Sequence, residues 1–228
     1  MKKKIASLIA VLALSLTANS ATIAWKAFTD NGLALFDGTI LASNNLLRLG
    51  YFDISVATIE SNSLNISFLD SHFFQLDVAR VSVAPGYFGD SVDVDTRPSA
   101  STLGGKQLFI WAFASTATSS ATDPASVNAS INTAFQHGIF TSSLSNWLVP
   151  TDPEVGLPTE STIELSDLTS PNSSTLAATA DIVIGNQSLT APGGALNASN
   201  FGLAAVPEPS TAGFAALGLL GLLARRRR

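Results

Sequence analysis

The segment Gln107 to Ala114 leaves the chain least freedom. Read as a strand, it places Phe109, Trp111 and Phe113 on one face and Leu108, Ile110 and Ala112 on the other, because successive strand side chains point to opposite sides. A strand that is apolar on both faces has to be covered on both sides. The segment therefore predicts a central strand with packed material above and below it. Gly104-Gly105 breaks the chain just ahead of it.

The remaining periodicity agrees with a domain built from many short strands. Thr22 to Thr29 alternates, with Ile23, Trp25 and Ala27 on one side. Leu33 to Phe36 and Thr39 to Ala42 flank Asp37-Gly38, a dipeptide that predicts a tight hairpin with positive φ at both central residues. Asn44-Asn45 marks the next turn, and Leu46 to Val56 reads as strand with a break at Gly50 or Asp53. Ser63 to Arg80 has two readings. Leu64, Ile66 and Phe68 alternate as in a strand, whereas Leu69, Phe73 and Leu76 fit one helix face; a short helix over about 69–79 is the expectation. Ser115 to Asn132, with Asp123-Pro124, reads as a loop. Gly138 to Thr141, Asn146 to Val149, Thr162 to Leu165 and Leu176 to Ile184 read as further strands. The fold class expected is all-β, a sandwich or barrel-like domain with one short helix. It should occupy residues 21–190, followed by a flexible linker at 191–205.

Charge and cysteine content narrow the function. The net charge of −5 conceals seven basic residues at the extreme ends; the body keeps five against sixteen acidic residues, a net charge near −11. Such a surface repels phosphate backbones, which argues against a nucleic-acid partner. With no cysteine, disulfides, thiol catalysis and cysteine metal sites are excluded.

Both ends read as addresses. Lys2 to Lys4, then the apolar run Ile5 to Leu16, then Ala18 and Ser20 before Ala21, make the three-part pattern of a secretory signal peptide over 1–20. Cleavage is expected at Ser20/Ala21, with Ala21/Thr22 and Ala24/Trp25 as alternatives. The other end runs Val206-Pro207-Glu208-Pro209-Ser210-Thr211, then Ala212 to Ala224 without a charge, then Arg225, Arg226, Arg227 and Arg228. Pro207 and Pro209 favour an extended backbone. The apolar run would be about 20 Å long as a helix, short of a ~30 Å hydrocarbon core, which suits a transient inner-membrane anchor. The arginines would hold the C-terminus on the cytoplasmic side.

Val206 to Arg228 resembles the PEP-CTERM sorting signal, with its Pro-Glu-Pro motif, short apolar helix and terminal arginine cluster in order. The resemblance implies processing by an exosortase, a membrane-embedded protease, and a host with a Gram-negative-type envelope that makes exopolysaccharide or biofilm. In the body, Leu46 to Phe52, Gly105 to Trp111, Gly138 to Thr141 and Asn146 to Pro150 follow in an order similar to uncharacterised PEP-CTERM surface proteins of Verrucomicrobia-like bacteria. That likeness implies no activity.

The search for chemistry returns little. His72 and His137 are far apart in sequence and form no ligand pattern. Asp90, Asp93 and Asp95 form the densest acidic cluster, a calcium-loop candidate or a solvated turn. Glu160 and Glu164 are the nearest thing to a glycosidase carboxylate pair. Asn-x-Ser triplets at Asn65, Asn128, Asn172, Asn186 and Asn197 fit a chain rich in Asn and Ser. No cofactor is implied. The expectation is a non-enzymatic surface or matrix protein, exported, held briefly in the inner membrane and then placed at the cell surface or outside it. Its partners would be an exosortase and exopolysaccharide. A glycan-binding β-sandwich is the alternative, with Trp147, Tyr51 and Tyr87 as candidate contacts. A secreted hydrolase is the third.

Overall fold

A computed structural model describes residues 20–27, 32–95, 102–151, 159–165, 182–188 and 200–206. The strands are β1 (Ser20–Ala27), β2 (Leu33–Ala34), β3 (Leu46–Phe52), β4 (Phe73–Arg80), β5 (Phe88–Asp95), β6 (Phe109–Ser115), β7 (Ala134–Phe140), β8 (Thr159–Glu164), β9 (Ile182–Ile184), β10 (Asn186–Ser188), β11 (Asn200–Gly202) and β12 (Ala204–Ala205). The helices are α1 (Val56–Ser61), α2 (Ile66–Ser71) and α3 (Pro124–Asn132), and a 3-10 turn covers Ser145–Trp147. The main sheet runs β12-β7-β6-β3-β4, with β9 also on β7. The outer edge of β7 is shared end to end: β12 pairs with Gln136 and His137, β9 with Ile139 and Phe140. A second sheet runs β5-β1-β8 and a small third one β10-β11-β2.

The two-sided apolar segment is central. β6 lies between β3 and β7, and all seven of its residues are buried. On one face, Ile110 and Ala112 join Leu47, Leu49 and Phe140 against Ile23, Trp25, Phe88 and Ile163 of the second sheet. On the other, Phe109, Trp111 and Phe113 join Leu46, Phe52 and Ile139 beneath Ile59 of α1, Leu69 of α2 and Val127 and Ile131 of α3. Each large side chain buried in this way contributes about 1.5–3 kcal/mol. The result is a β-sandwich whose main sheet carries a helical layer on its outer face. One charge enters that layer. Arg48 of β3 is buried, its guanidinium 4.6 Å from the Phe73 ring centroid and 5.4 Å from that of Trp111. It donates to Gln75 and to the Asp70 carboxylate of α2.

Several expectations need correction. The helix over 69–79 is instead α2, ending at Ser71 with His72 as its C-cap, followed by β4. The stop is built in: Asp53 N donates to the His72 carbonyl, and the Asp53 carboxylate meets His72 Nδ1 at 2.7 Å. Val56, expected to close a strand, opens α1, which the Ser55 hydroxyl caps. The loop expected at 115–132 contains α3, capped by Asp123 with Pro124 in its first turn. At Asp37-Gly38 only Gly38 has positive φ. Gly38 N donates to Leu35 O and Leu35 N to Thr39 O, the three-residue hairpin with a glycine bulge, not the two-residue turn. Of Asn146 to Val149, the first two residues end the 3-10 turn Ser145–Trp147, and Leu148 forms an antiparallel bridge with Gln107. Residues 200–205, expected in the linker, are strands of the body. The expected signal peptide up to residue 19, residues 176–181 and the apolar run 212–224 lie outside the described residues. Among the described residues no helix is long and apolar enough to cross a membrane.

Candidate functional site

The sorting residues Pro207, Glu208, Pro209 and Arg225 to Arg228 lie outside the described residues, but the point where they leave the body is defined. β11 lies parallel to β2, with Phe201 opposite Leu33. Phe201 and Leu203 are fully buried, and their amides donate to Gly32 O and Ala34 O, each at 2.9 Å. Ala204 and Ala205 then pair with His137 and Gln136 of β7. Val206 N donates to Phe135 O at 2.9 Å. The next residue, Pro207, has no N–H to extend the ladder. The chain is thus hydrogen-bonded into the domain up to the residue before the Pro-Glu-Pro motif.

The histidines are engaged in structure. Buried His137 accepts from Trp111 Nε1 at its Nδ1, 3.0 Å away, and its Nε2 faces the Ser63 carbonyl at 2.7 Å. That pattern requires the neutral ring with the proton on Nε2. Burial pushes its pKa down to about 4. Both nitrogens are used, so His137 ties β6 and β7 to the loop between α1 and α2. His72 is committed to Asp53.

The acidic candidates do not converge. Asp90, Asp93 and Asp95 lie on a strand, not a loop, and alternation places Asp93 and Asp95 on one face and Asp90 on the other. The Asp93 carboxylate accepts from the Thr22 hydroxyl at 2.6 Å. Asp77, which accepts from Trp25 Nε1 at 2.8 Å, has a pKa raised by burial, with a smaller upward push from the charge of Asp90. Glu160 and Glu164 share one face of β8, opposite Thr22 and Lys26 of β1. Four residues along a strand separate their Cα atoms by about 13 Å, and Glu164 pairs with Lys26. Among the described residues no group of three His, Asp or Glu is placed to hold a metal. An open groove beside Glu160 is lined by Ser145, Asn146, Pro150, Ser161 and Thr162. Its polar walls bond to one another: Asn146 Nδ2 donates to Thr162 O and Ser161 Oγ to Asn146 O. Of the Asn-x-Ser positions, Asn65 caps α2 through its side chain and Asn128 is exposed on α3. Asn186 starts β10, and Asn172 and Asn197 lie outside the described residues.

The aromatic candidates divide. Trp147 is fully buried, as are Trp25 and Trp111, and Tyr87 is half-buried. Tyr51 is different. It stacks on Phe74, ring centroids 5.0 Å apart and planes 6° from parallel, and Lys106 Nζ lies 5.7 Å from the Tyr51 centroid. Phe74 is 46% exposed. A bulge in β4 places the pair there. Between Leu49/Asp77 and Gly50/Gln75 the register skips Leu76, so Phe73 packs into the helix-side core while Phe74 emerges beside Tyr51. Gly50 is required at this spot, since a Cβ would lie 2.3 Å from Phe74 O and 2.6 Å from the Phe73 ring. Phe74 was not identified from sequence. Its Phe-Phe context reads as core, and only strand pairing turns it outward.

Residues 205–228 match the PEP-CTERM protein-sorting motif. No curated protein and no solved structure matches the chain. The match supports an exported protein, sorted by way of the membrane to the cell surface and processed by an exosortase. Of the body it covers only Ala205 and Val206.

Proposed function

We propose that the protein is a non-enzymatic surface or extracellular-matrix component, which an exosortase processes at its tail and which works in association with exopolysaccharide. The observation that carries this reading is the sorting motif at 205–228, attached to a strand-rich body whose two histidines, Asp93 and Glu164 are engaged in internal contacts. In this reading a signal peptide over 1–20 directs export. Ala212 to Ala224 then holds the tail in the inner membrane, and Pro207-Glu208-Pro209 presents an extended recognition element. The kinship of the body with uncharacterised surface proteins of this class belongs to the same reading. Mass spectrometry of the protein recovered from its host tests it. The expected product begins at Ala21 and lacks the apolar run and the arginines. A full-length extracellular chain would overturn it.

A second reading, glycan recognition by the β-sandwich itself, is favoured by the Tyr51–Phe74 stack. Sugar rings pack their C–H faces on exposed aromatic rings, and Lys106 adds a donor beside this one. Co-sedimentation with exopolysaccharide should weaken about tenfold for Phe74→Ala, the equivalent of ~1.4 kcal/mol. Unchanged binding would remove the stack from any glycan site.

A further inference from the structure

We propose that the surface around the exit of the chain at Val206, which carries Phe36 and Phe135, seats on the lipid bilayer that holds the sorting tail. The proposal rests on the reading of the tail as membrane-inserted and goes beyond it, because it assigns a particular face of the body to the membrane.

The first support is the length of the tether. Val206 is hydrogen-bonded into the domain, and only Pro207 to Thr211 separate it from the apolar run that starts at Ala212. Fully extended, each residue spans at most about 3.6 Å, so the exit lies within about 20 Å of the start of that run. A domain of roughly 180 residues has a radius of gyration near 16 Å, and so a radius of about 20 Å. The tether is no longer than the body's own radius. While the tail is inserted, the body is held against the bilayer by the face that bears Val206.

The second support is what that face carries. Phe135 gives its carbonyl to Val206 N and is 37% exposed. It lies at the shift in register where Ala134 and Gln136 face Ser115 and Ala114, the extra residue of a bulge. Phe36, at the turn of the glycine-bulge hairpin, donates its N–H to Gln136 Oε1 at 2.7 Å and is 60% exposed. Two exposed aromatic rings therefore flank the exit. The body is acidic, so electrostatic attraction to anionic lipid is not available to it. Apolar side chains entering the interfacial region are the contact that remains.

The test uses the full-length protein inserted through its tail into phosphatidylcholine vesicles, some with brominated acyl chains as quenchers. The native tryptophans, Trp25, Trp111 and Trp147, are fully buried and provide a constant background. Three variants report position: F36W and F135W at the exit, and F74W as control. Phe74 lies on the far edge strand of the main sheet, across from β12, and toward the opposite end of the strands, since Gly50 and Phe109 pair there while Gln136 faces Ala114. The expected result is at least a twofold loss of the added fluorescence in bromolipid for F36W and F135W, with F74W unchanged and the pattern insensitive to salt. Equal quenching of all three, or of none, overturns the proposal. A blue shift of F36W and F135W without bromolipid quenching also overturns it, and assigns the face to a second copy of the chain. Flotation separates the two levels: protein that floats with the vesicles but shows no exit-face quenching refutes the seating alone, while protein that fails to float refutes the membrane-inserted tail and the seating with it.

Discussion

His137 is the residue whose environment makes the clearest demand on solution conditions. Its neutral ring accepts from Trp111 and donates to Ser63 O, and burial holds its pKa at about 4, well below the 6.5 of an ordinary histidine. The unfolded chain thus binds the extra proton first. Stability is full above about pH 6.5 and is lost as pH falls toward 4, by on the order of 3 kcal/mol. Asp77, with its raised pKa, acts in the opposite sense, so the test compares parent with His137→Gln. Urea midpoints measured from pH 7.5 to 4 should fall more steeply for the parent; parallel curves would show that His137 does not titrate with folding. The Trp111 prediction is independent of pH. The indole is fully buried against Phe52, Phe73 and Phe113. Trp111→Asp should cost more than about 4 kcal/mol, whereas Trp111→Phe should leave a folded domain. An aspartate variant that melts like the parent would contradict the burial. The burial of Trp111 was legible from the two-sided apolar pattern, but the role of His137 was not. A lone histidine in Gln136-His137-Gly138 gives no sign that a tryptophan on the neighbouring strand and a carbonyl 74 residues away will claim both its nitrogens.

At the scale of elements, what the sequence showed depended on whether the controlling contact is local. β1 follows from alternation and β6 from its two-sided apolar run, while β3 and the second half of β8 follow from strand-like composition. Leu69, Phe73 and Leu76 imitate a helix face, yet they belong to three environments: the core contact of α2, the start of β4, and the residue skipped at the bulge. Pairing with β3 decides this, and pairing is not written in the segment itself. α3 was missed for a different reason. Its only apolar inward positions are Val127 and Ile131, so its periodicity is weak, although Asp123-Pro124 is a recognisable helix start. β1 also constrains processing at the N-terminus. Ile23 is fully buried and pairs with Val92 and Ser161. A cut at Ala24/Trp25 would remove it and open half of β1 on both sides. N-terminal sequencing of the exported product should therefore give Ala21 or Thr22. A start at Trp25 would mean that β1 as described does not exist in the mature protein.

At the scale of the whole molecule, the body is hydrogen-bonded up to Val206, directly before the Pro-Glu-Pro motif, and the proposed reading assigns the sorting residues separable tasks. The ladder ends at Val206. Pro207 and Pro209 fix their own φ and disfavour helical backbone at the residue before each, and Glu208 is the only charge between Asp181 and Arg225. In the proposed reading the apolar run behind them would set the depth of the motif. The four arginines would resist translocation, since each costs about 2.5–3.5 kcal/mol at a helix centre on insertion scales. Replacing Pro207-Glu208-Pro209 with alanines should leave the protein exported but unprocessed and held in the membrane through Ala212 to Ala224. Replacing Arg225 to Arg228 with serines should instead weaken retention, so that unprocessed chains pass through. Because β12 and Val206 belong to the body, neither change should alter the thermal melt of the domain, which separates a sorting defect from a folding one. Blots of membrane and medium fractions from the native host read the outcome. If the alanine variant is processed and released like the parent, the Pro-Glu-Pro segment is only a connector between β12 and the apolar run, and recognition has to lie in that run.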